Sequence, residues 1–164
     1  MLPRCHRTEG TTVRRIIYRS TATPELDRAE LFRLLYHARA SNEARGLSGV
    51  LMRAGSELLQ VLEGETWKLV ATFEAIRRDP RHCAVTVIDE RSIDEATFAG
   101  WPMRYFDDHD ICKAVQQMTE KAGGSLPQTI GGAVSDFFVE AFVGSETISP
   151  SPPEAALPSS PRPC

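Results

Sequence analysis

The residues of this chain best suited to chemistry centre on one amide inside an apolar run, Gln60 in SELLQVLEG (Ser56–Gly64). Side chains alternate along a strand, so Leu58, Gln60 and Leu62 share one face while Leu59 and Val61 take the other. A primary amide on a core-facing position needs partners, because leaving it unpaired costs on the order of 1–3 kcal/mol. It offers both donors and an acceptor, which suits a neighbour whose edge alternates between the two. A phenol (Tyr18, in RRIIYRS), a second amide (Asn42) and a thioether (Met103) are the other candidates. Two amides and a phenol around an apolar cleft make a poor hydrolytic site, since they include no nucleophile–base pair and no paired carboxylates. They make a good clamp for a flat heterocycle whose rim alternates carbonyl and N–H groups.

Each of these residues also has a purely structural reading. Gln60 can be a core amide bonded to nearby backbone or water. Tyr18 can be a core tyrosine with a satisfied hydroxyl, and Asn42 can terminate a helix. Met103 can be core filler, and Trp101 can pack against a capping helix. Arg77, Arg78 and Arg81 form either a solvated basic run or a phosphate clamp. What separates the readings is whether the elements that carry these residues bring them together.

Those elements can be read in order. Arg14–Ser20 is a strand with Ile16 and Tyr18 on one face and Ile17 on the other. Asp27 and Glu30 form a capping box, and Leu31, Leu34, Leu35 and Ala38 give an amphipathic helix to about Ala40. Ser41 and Asn42 are expected to leave that helix, with Gly46 opening a strand over Leu47–Met52. Ala54, Gly55 and Ser56 reverse the chain into the Gln60 strand, making a hairpin. A second helix runs from about Thr66 to Arg78, with Leu69, Phe73 and Ile76 as its apolar stripe, until Asp79 and Pro80 stop it. Ala84–Asp89 is a fourth strand. Trp101–Phe106 reads as a fifth, with Trp101, Met103 and Tyr105 on one face and Pro102 placing it near an edge.

This order implies an α+β fold: a ferredoxin-like βαββαβ unit with an additional strand, in a five-stranded mixed sheet with two helices on one face. If Tyr18, Gln60 and Met103 all point to the helix side, they converge near the middle of the sheet. Ile111, Val115 and Met118, then Ile130, Val134, Phe137, Phe138 and Ala141, predict C-terminal helices capping the other face. The domain expectation is a flexible leader at 1–12, a sheet domain at 13–106, a helical cap at 107–144 and a disordered, proline- and serine-rich tail at 145–164.

Bulk properties exclude more than they identify. A length of 164 residues suits one domain with a sizeable core or one domain plus an appendage, and the net charge of −3 gives no reason to expect nucleic acid or an anionic membrane. No apolar run approaches a membrane span, and the leader lacks the hydrophobic stretch of a signal peptide. Cys5, Cys83, Cys112 and Cys164 have no zinc-ligand spacing. Four free thiols in a cytoplasmic protein, with no metal, is the expectation.

A flavin ring has the alternating rim that such a clamp would fit, and an apolar benzenoid end for Leu, Ile and Met. From about Val13 to Phe106 the chain resembles the BLUF family of flavin-binding blue-light sensors. The resemblance rests on IIYRS (Ile16–Ser20), SNEARGLSGVL (Ser41–Leu51), LLQVLEG (Leu58–Gly64), RRDPRH (Arg77–His82) and FAGWPMRY (Phe98–Tyr105), five blocks in one order. Ser41 departs from the Asn or His that many members carry there, and Ala38 from their Ser.

The resemblance implies that Tyr18 exchanges an electron and a proton with the excited flavin, and that Gln60 lies between that phenol and the flavin N5/O4 edge. It implies further that Asn42 holds the pyrimidine end, and that Asp79, Arg81 and His82 lie near the ribityl and phosphate end. By the same resemblance, Trp101 and Met103 are expected on a strand that carries the signal outward. FAD is the implied cofactor, with FMN or riboflavin as alternatives. Because no catalytic domain follows in the sequence, output is expected through a homo-oligomer or a separate downstream signalling protein rather than enzymatic turnover. Two rival classes are a ferredoxin-like interaction domain without a chromophore and a flavin-dependent redox enzyme.

Overall fold

In the computed structural model, which describes residues 12–145, the chain forms one sheet in the order β4-β1-β3-β2-β5. The strands are β1 (Val13–Ala22), β2 (Ser48–Ala54), β3 (Glu57–Glu65), β4 (His82–Ile93) and β5 (Arg104–Asp107). Helices α1 (Arg28–Arg45) and α2 (Thr66–Arg77) are the two crossovers. After a single 3-10 turn at Asp108–Asp110 come α3 (Ile111–Lys121) and α4 (Gln128–Ser145). All pairings are antiparallel except that of β5, which runs parallel to β2 with Leu51 opposite Tyr105. The expected mixed ferredoxin-like sheet with a fifth strand is the observed one.

Alternation along the strands divides the apolar residues between two cores. Ile16, Tyr18, Leu58 and Leu62 face α1 and α2, where they meet Leu31, Leu35, Leu69 and Phe73. Ile17, Val50, Leu59 and Val61 face the other way, against Ala114 and Met118 of α3 and Ile130, Val134 and Phe137 of α4. The C-terminal helices therefore cap the second face, as their apolar stripes require. Without them a sheet face of Ile, Val, Met and Leu side chains would meet water, at roughly 25 cal/mol for each Å² of apolar surface. Val115 is the exception to the expected stripe. It is substantially exposed, and Ala114, one position back, takes the buried place.

Local boundaries differ in instructive ways. Asp27 does cap α1, accepting from the Glu30 N–H at 2.8 Å. The reciprocal half of the capping box is missing, because the Glu30 carboxylate turns to Arg81 (2.8 Å) and Arg33 (3.2 Å). Ser41 and Asn42 do not leave the helix. Asn42 occupies the last turn of α1, and the stop comes at Gly46, whose φ of 68° is left-handed. The Gly46 N–H reaches the Glu43 carbonyl and the Leu47 N–H reaches that of Asn42, a Schellman closure. Gly49 is required for a different reason: a Cβ there would stand 2.2 Å from the Val61 carbonyl oxygen.

The expected fifth strand is shorter than its apolar pattern. β5 begins at Arg104, and residues 99–103 have no regular structure. Strand alternation therefore does not apply to Trp101, and the expectation that it shares a face with Met103 and Tyr105 fails. Trp101 packs on the α3/α4 core, whereas Met103 and Tyr105 belong to the α1/α2 core. The expected leader and tail lie outside the described residues except at their inner ends. Thr12 accepts through its carbonyl from Thr66 at the start of α2, and Ser145 is the last residue of α4. Among the described residues no helix is long and apolar enough to cross a membrane.

Candidate functional site

Between the two crossover helices and the sheet lies a cavity of about 310 Å³. Its walls are apolar where α1 and α2 supply Leu34, Ala38 and Ile76 and the sheet supplies Leu51 and Leu62. Gln60 and Met103 lie on its floor, with Asn42 at one side and Asp79, Arg81 and His82 at the other. Six of the expected site residues thus line one space. Tyr18 joins them from beneath, bonded to Gln60. Its ring tilts against Phe73 of α2, with centroids 5.0 Å apart.

The hydrogen bonds fix the polarity of the floor. The Tyr18 hydroxyl donates to Gln60 Oε1. Burial, with the Asp79 carboxylate adding to it, pushes the phenol well above its ordinary range, so it keeps the proton that it donates. Because Oε1 is committed to the phenol, Gln60 Nε2 points the other way and donates to Met103 Sδ at 3.6 Å. A thioether is a weak acceptor, so the amide holds N–H capacity that a ligand heteroatom would satisfy better. Gln60 is 4 % exposed and cannot turn to bulk water instead.

Asn42, likewise buried, donates from Nδ2 to the Pro102 carbonyl at 2.6 Å. One turn earlier, Arg39 donates from Nε to the Met103 carbonyl at 2.9 Å. The last turns of α1 thus hold the backbone that presents Met103, and this explains why Asn42 stays helical against its local preference. Of its amide, one N–H is committed to Pro102.

The charged end is largely self-neutralised. Arg81 forms a fork with Asp79 (2.6–3.2 Å) and a further bond to Glu30 at 2.8 Å. The bonds from Arg81 hold the Asp79 carboxyl below its usual range despite partial burial. The Arg81 guanidinium is raised in turn, chiefly by Asp79. His82 lines the cavity with Nδ1 at 3.2 Å from Ser20 Oγ, and burial holds its imidazole below the ordinary value. Arg81 therefore meets a ligand already paired with two carboxylates.

Trp101 is the expected site residue that the structure places elsewhere. Its ring stacks on Phe98 beneath α3, and the ammonium of Lys121 lies 5.9 Å from its centroid. A larger and more open depression of about 470 Å³ lies at the other end of α1, between Arg28, Phe32, Arg53 and Tyr105, and includes none of the expected residues. At its rim Asp107, Asp108 and His109 bring ligand-type atoms within 4.8 Å of one another, a grouping the spacing of histidines did not suggest.

Two participants were missed. Arg39 carries no signal in a helix with many charges. Glu63 does: a carboxylate between Leu62 and Gly64 falls on the face opposite Gln60, among apolar neighbours. It is wholly buried and pairs with Arg15, its register partner on β1, at 2.7 Å.

The residues present fit a flavin. The amide floor has unspent donors, the walls are apolar, and the cavity lies at the lower end of the roughly 300–1,000 Å³ typical of small-molecule sites. A family model described as BLUF, sensors of blue-light using FAD, matches residues 13–104. The chain is 29% identical over 96 residues to photoactivated adenylate cyclase subunit beta of Euglena gracilis, a match covering 58% of this chain and 11% of that protein. The chain thus spans about a tenth of the length of that relative. Among solved structures it resembles the photo-activated state of BlsA, with a TM-score of 0.60 and 27% identity over 77% of this chain and 95% of that one. It also resembles Klebsiella pneumoniae BlrP1 in a manganese/cy-diGMP complex, with a TM-score of 0.67 and 27% identity over 78% of this chain and 33% of that one.

Proposed function

Because the chain belongs to the BLUF family of flavin-binding blue-light sensors, we propose that it senses blue light through the Tyr18–Gln60–Met103 chain on the cavity floor, with FAD as its flavin. When bound, the flavin supplies blue-light absorption and an electron-accepting excited state. Gln60 and Asn42 would hold the heteroatom rim of the ring, Leu34, Ala38 and Ile76 its apolar part, and Asp79, Arg81 and His82 the polar extension.

The work of the chain itself follows from its hydrogen-bond polarity. In the dark Tyr18 keeps its proton and donates to Gln60 Oε1. Tyr18 would lend an electron and that proton to the excited flavin and take both back as the flavin returns to its ground state; in between, its oxygen is an acceptor. An acceptor cannot face a bare Oε1, so the Gln60 amide must present a donor to Tyr18, either Nε2–H after rotation or a protonated Oε1 after tautomerisation. Rotation also turns Oε1 toward Met103 Sδ and breaks the 3.6 Å bond. The exchange involves buried hydrogen bonds worth about 1 kcal/mol each, enough to bias an equilibrium roughly fivefold. Such leverage suits a sensor that shifts an interface with a second copy or a separate signalling partner.

The observation that carries this reading is the phenol–amide–thioether chain buried beneath a cavity of mixed apolar and amide lining. Purified protein is expected to be yellow and to release FAD on denaturation. It should show a reversible red shift of its flavin band under blue light, and Gln60→Leu or Tyr18→Phe should abolish that shift. Protein that takes up no flavin overturns the proposal. Steady substrate-linked flavin reduction in place of the reversible shift would favour the redox-enzyme class.

A further inference from the structure

Strand β3 holds one irregular connection from both faces of the sheet. Toward the cavity, Gln60 donates to Met103 Sδ. Toward the α3/α4 core, three residues along, the Glu63 carboxylate accepts the Phe98 backbone N–H at 2.8 Å through Oε2. Its Oε1 takes Arg15 Nε, and Arg15 Nη2 donates to Thr97 Oγ1. Phe98 and Met103 bracket a six-residue segment without regular structure. Within it Trp101 lies parallel to the Phe98 ring at 5.8 Å, and its carbonyl accepts the Gly49 N–H at 2.8 Å.

A carboxylate removed from water is costly unless its oxygens are paired. Glu63 pairs one with a cation and commits the other to a single loop amide, so the arrangement is built to hold Phe98. We propose that Glu63 is a positioning residue for the photoactive amide. By anchoring Phe98 it sets where Met103 stands against Gln60, and it is the fixed end about which residues 98–103 move when Gln60 releases the sulfur. Motion pivoting there is delivered to Trp101 and α3. The delivery step rests on the light-sensing reading; the anchoring does not.

Two double variants separate the anchor from the ion pair. Arg15→Leu/Glu63→Leu replaces a buried pair with apolar side chains and leaves the Phe98 N–H without its acceptor. Arg15→Leu/Glu63→Gln also removes both charges but keeps an amide oxygen in place. Both are made in a Trp67→Phe background, which leaves Trp101 as the sole tryptophan.

The first readout uses flavin-free protein. In the Leu/Leu variant the Phe98 amide is expected to exchange about tenfold faster and Trp101 to be more accessible to acrylamide, with the Leu/Gln variant within about twofold of the parent. The second uses flavin-loaded protein. The Leu/Leu variant is expected to retain a red shift but to change its dark-recovery rate about tenfold, while the Leu/Gln variant keeps the parental rate. Equal behaviour of the two variants in either readout overturns the proposal. Should the Leu/Leu variant not fold, the parent decides. A Phe98 amide about tenfold slower to exchange than that of Thr97 supports the anchor, and equal rates overturn it. A parent that neither binds flavin nor shifts would refute the sensing reading instead, and the first readout would still stand.

Discussion

The Tyr18–Gln60 hydrogen bond should appear as a coupling energy in the flavin-free protein. Tyr18 is 1 % exposed and its hydroxyl donates to Gln60 Oε1. Gln60→Leu removes that acceptor and leaves a phenolic O–H sealed among Ile16, Leu58 and Phe73, at a cost of about 1–3 kcal/mol. Tyr18→Phe removes the donor instead. The freed Oε1 belongs to a nearly buried amide and faces the place the hydroxyl left, so this change should also cost about 1–3 kcal/mol. The double variant sets Leu against Phe and leaves neither group unsatisfied. It should be about 1–2 kcal/mol less destabilised than the sum of the single changes. Urea unfolding at 25 °C on the four proteins measures the cycle. Gln60→Leu alone should lower the midpoint of thermal unfolding by roughly 2–4 °C for each kcal/mol lost in a chain of this size, about 2–12 °C in all. Additivity within about 0.3 kcal/mol would mean that the two side chains do not meet in the folded protein, and the reading of the site would fail with them.

Two further outcomes test other parts of the structure. His82 is held below its ordinary value of 6.5 by burial. The unfolded chain therefore protonates it first as pH falls, and stability present above pH 6.5 is lost progressively below it. His82→Gln should flatten that limb of a denaturant-midpoint-versus-pH curve, and an unchanged limb would show that the imidazole is not desolvated. Gly49→Ala would press a Cβ against the Val61 carbonyl at 2.2 Å. It should cost about 1–3 kcal/mol in urea unfolding, and a neutral result would refute the close approach of β2 to β3.

Much of the fold was legible because its signals are local. The alternation in IIYRS and LLQVLEG assigns each residue of β1 and β3 to a face, and both cores follow that assignment. The helical spacing of Ile130, Val134, Phe137 and Phe138 marked the cap on the second face. Legibility failed where a long-range partner overrode a local preference. Asn42 looked like a helix exit, but its amide is held by the Pro102 carbonyl sixty residues away. Trp101 was assigned a face by alternation, yet its segment is not a strand, since its backbone is held by the Glu63 and Asn42 side chains and by a single bond from Gly49 of β2 rather than by a continuous ladder. Arg81 read as part of a solvated basic run or of a phosphate clamp, and folding set Glu30 beside it.

The amino-acid sequence by itself determined which elements form, in what order, and that one strand carries a buried amide. These properties depend on backbone geometry and side-chain periodicity over a few residues. Only the tertiary structure decided that Tyr18, Gln60 and Met103, separated along the chain by 42 and 43 residues, make one hydrogen-bonded chain. It also decided that Met103 rather than Trp101 faces the cavity, and that a second polar cluster at Glu63 grips the same segment from behind. Hydrogen bonds are short and directional, so their existence depends on strand register and helix placement to within an ångström or so, and that precision arises only once the sheet is assembled.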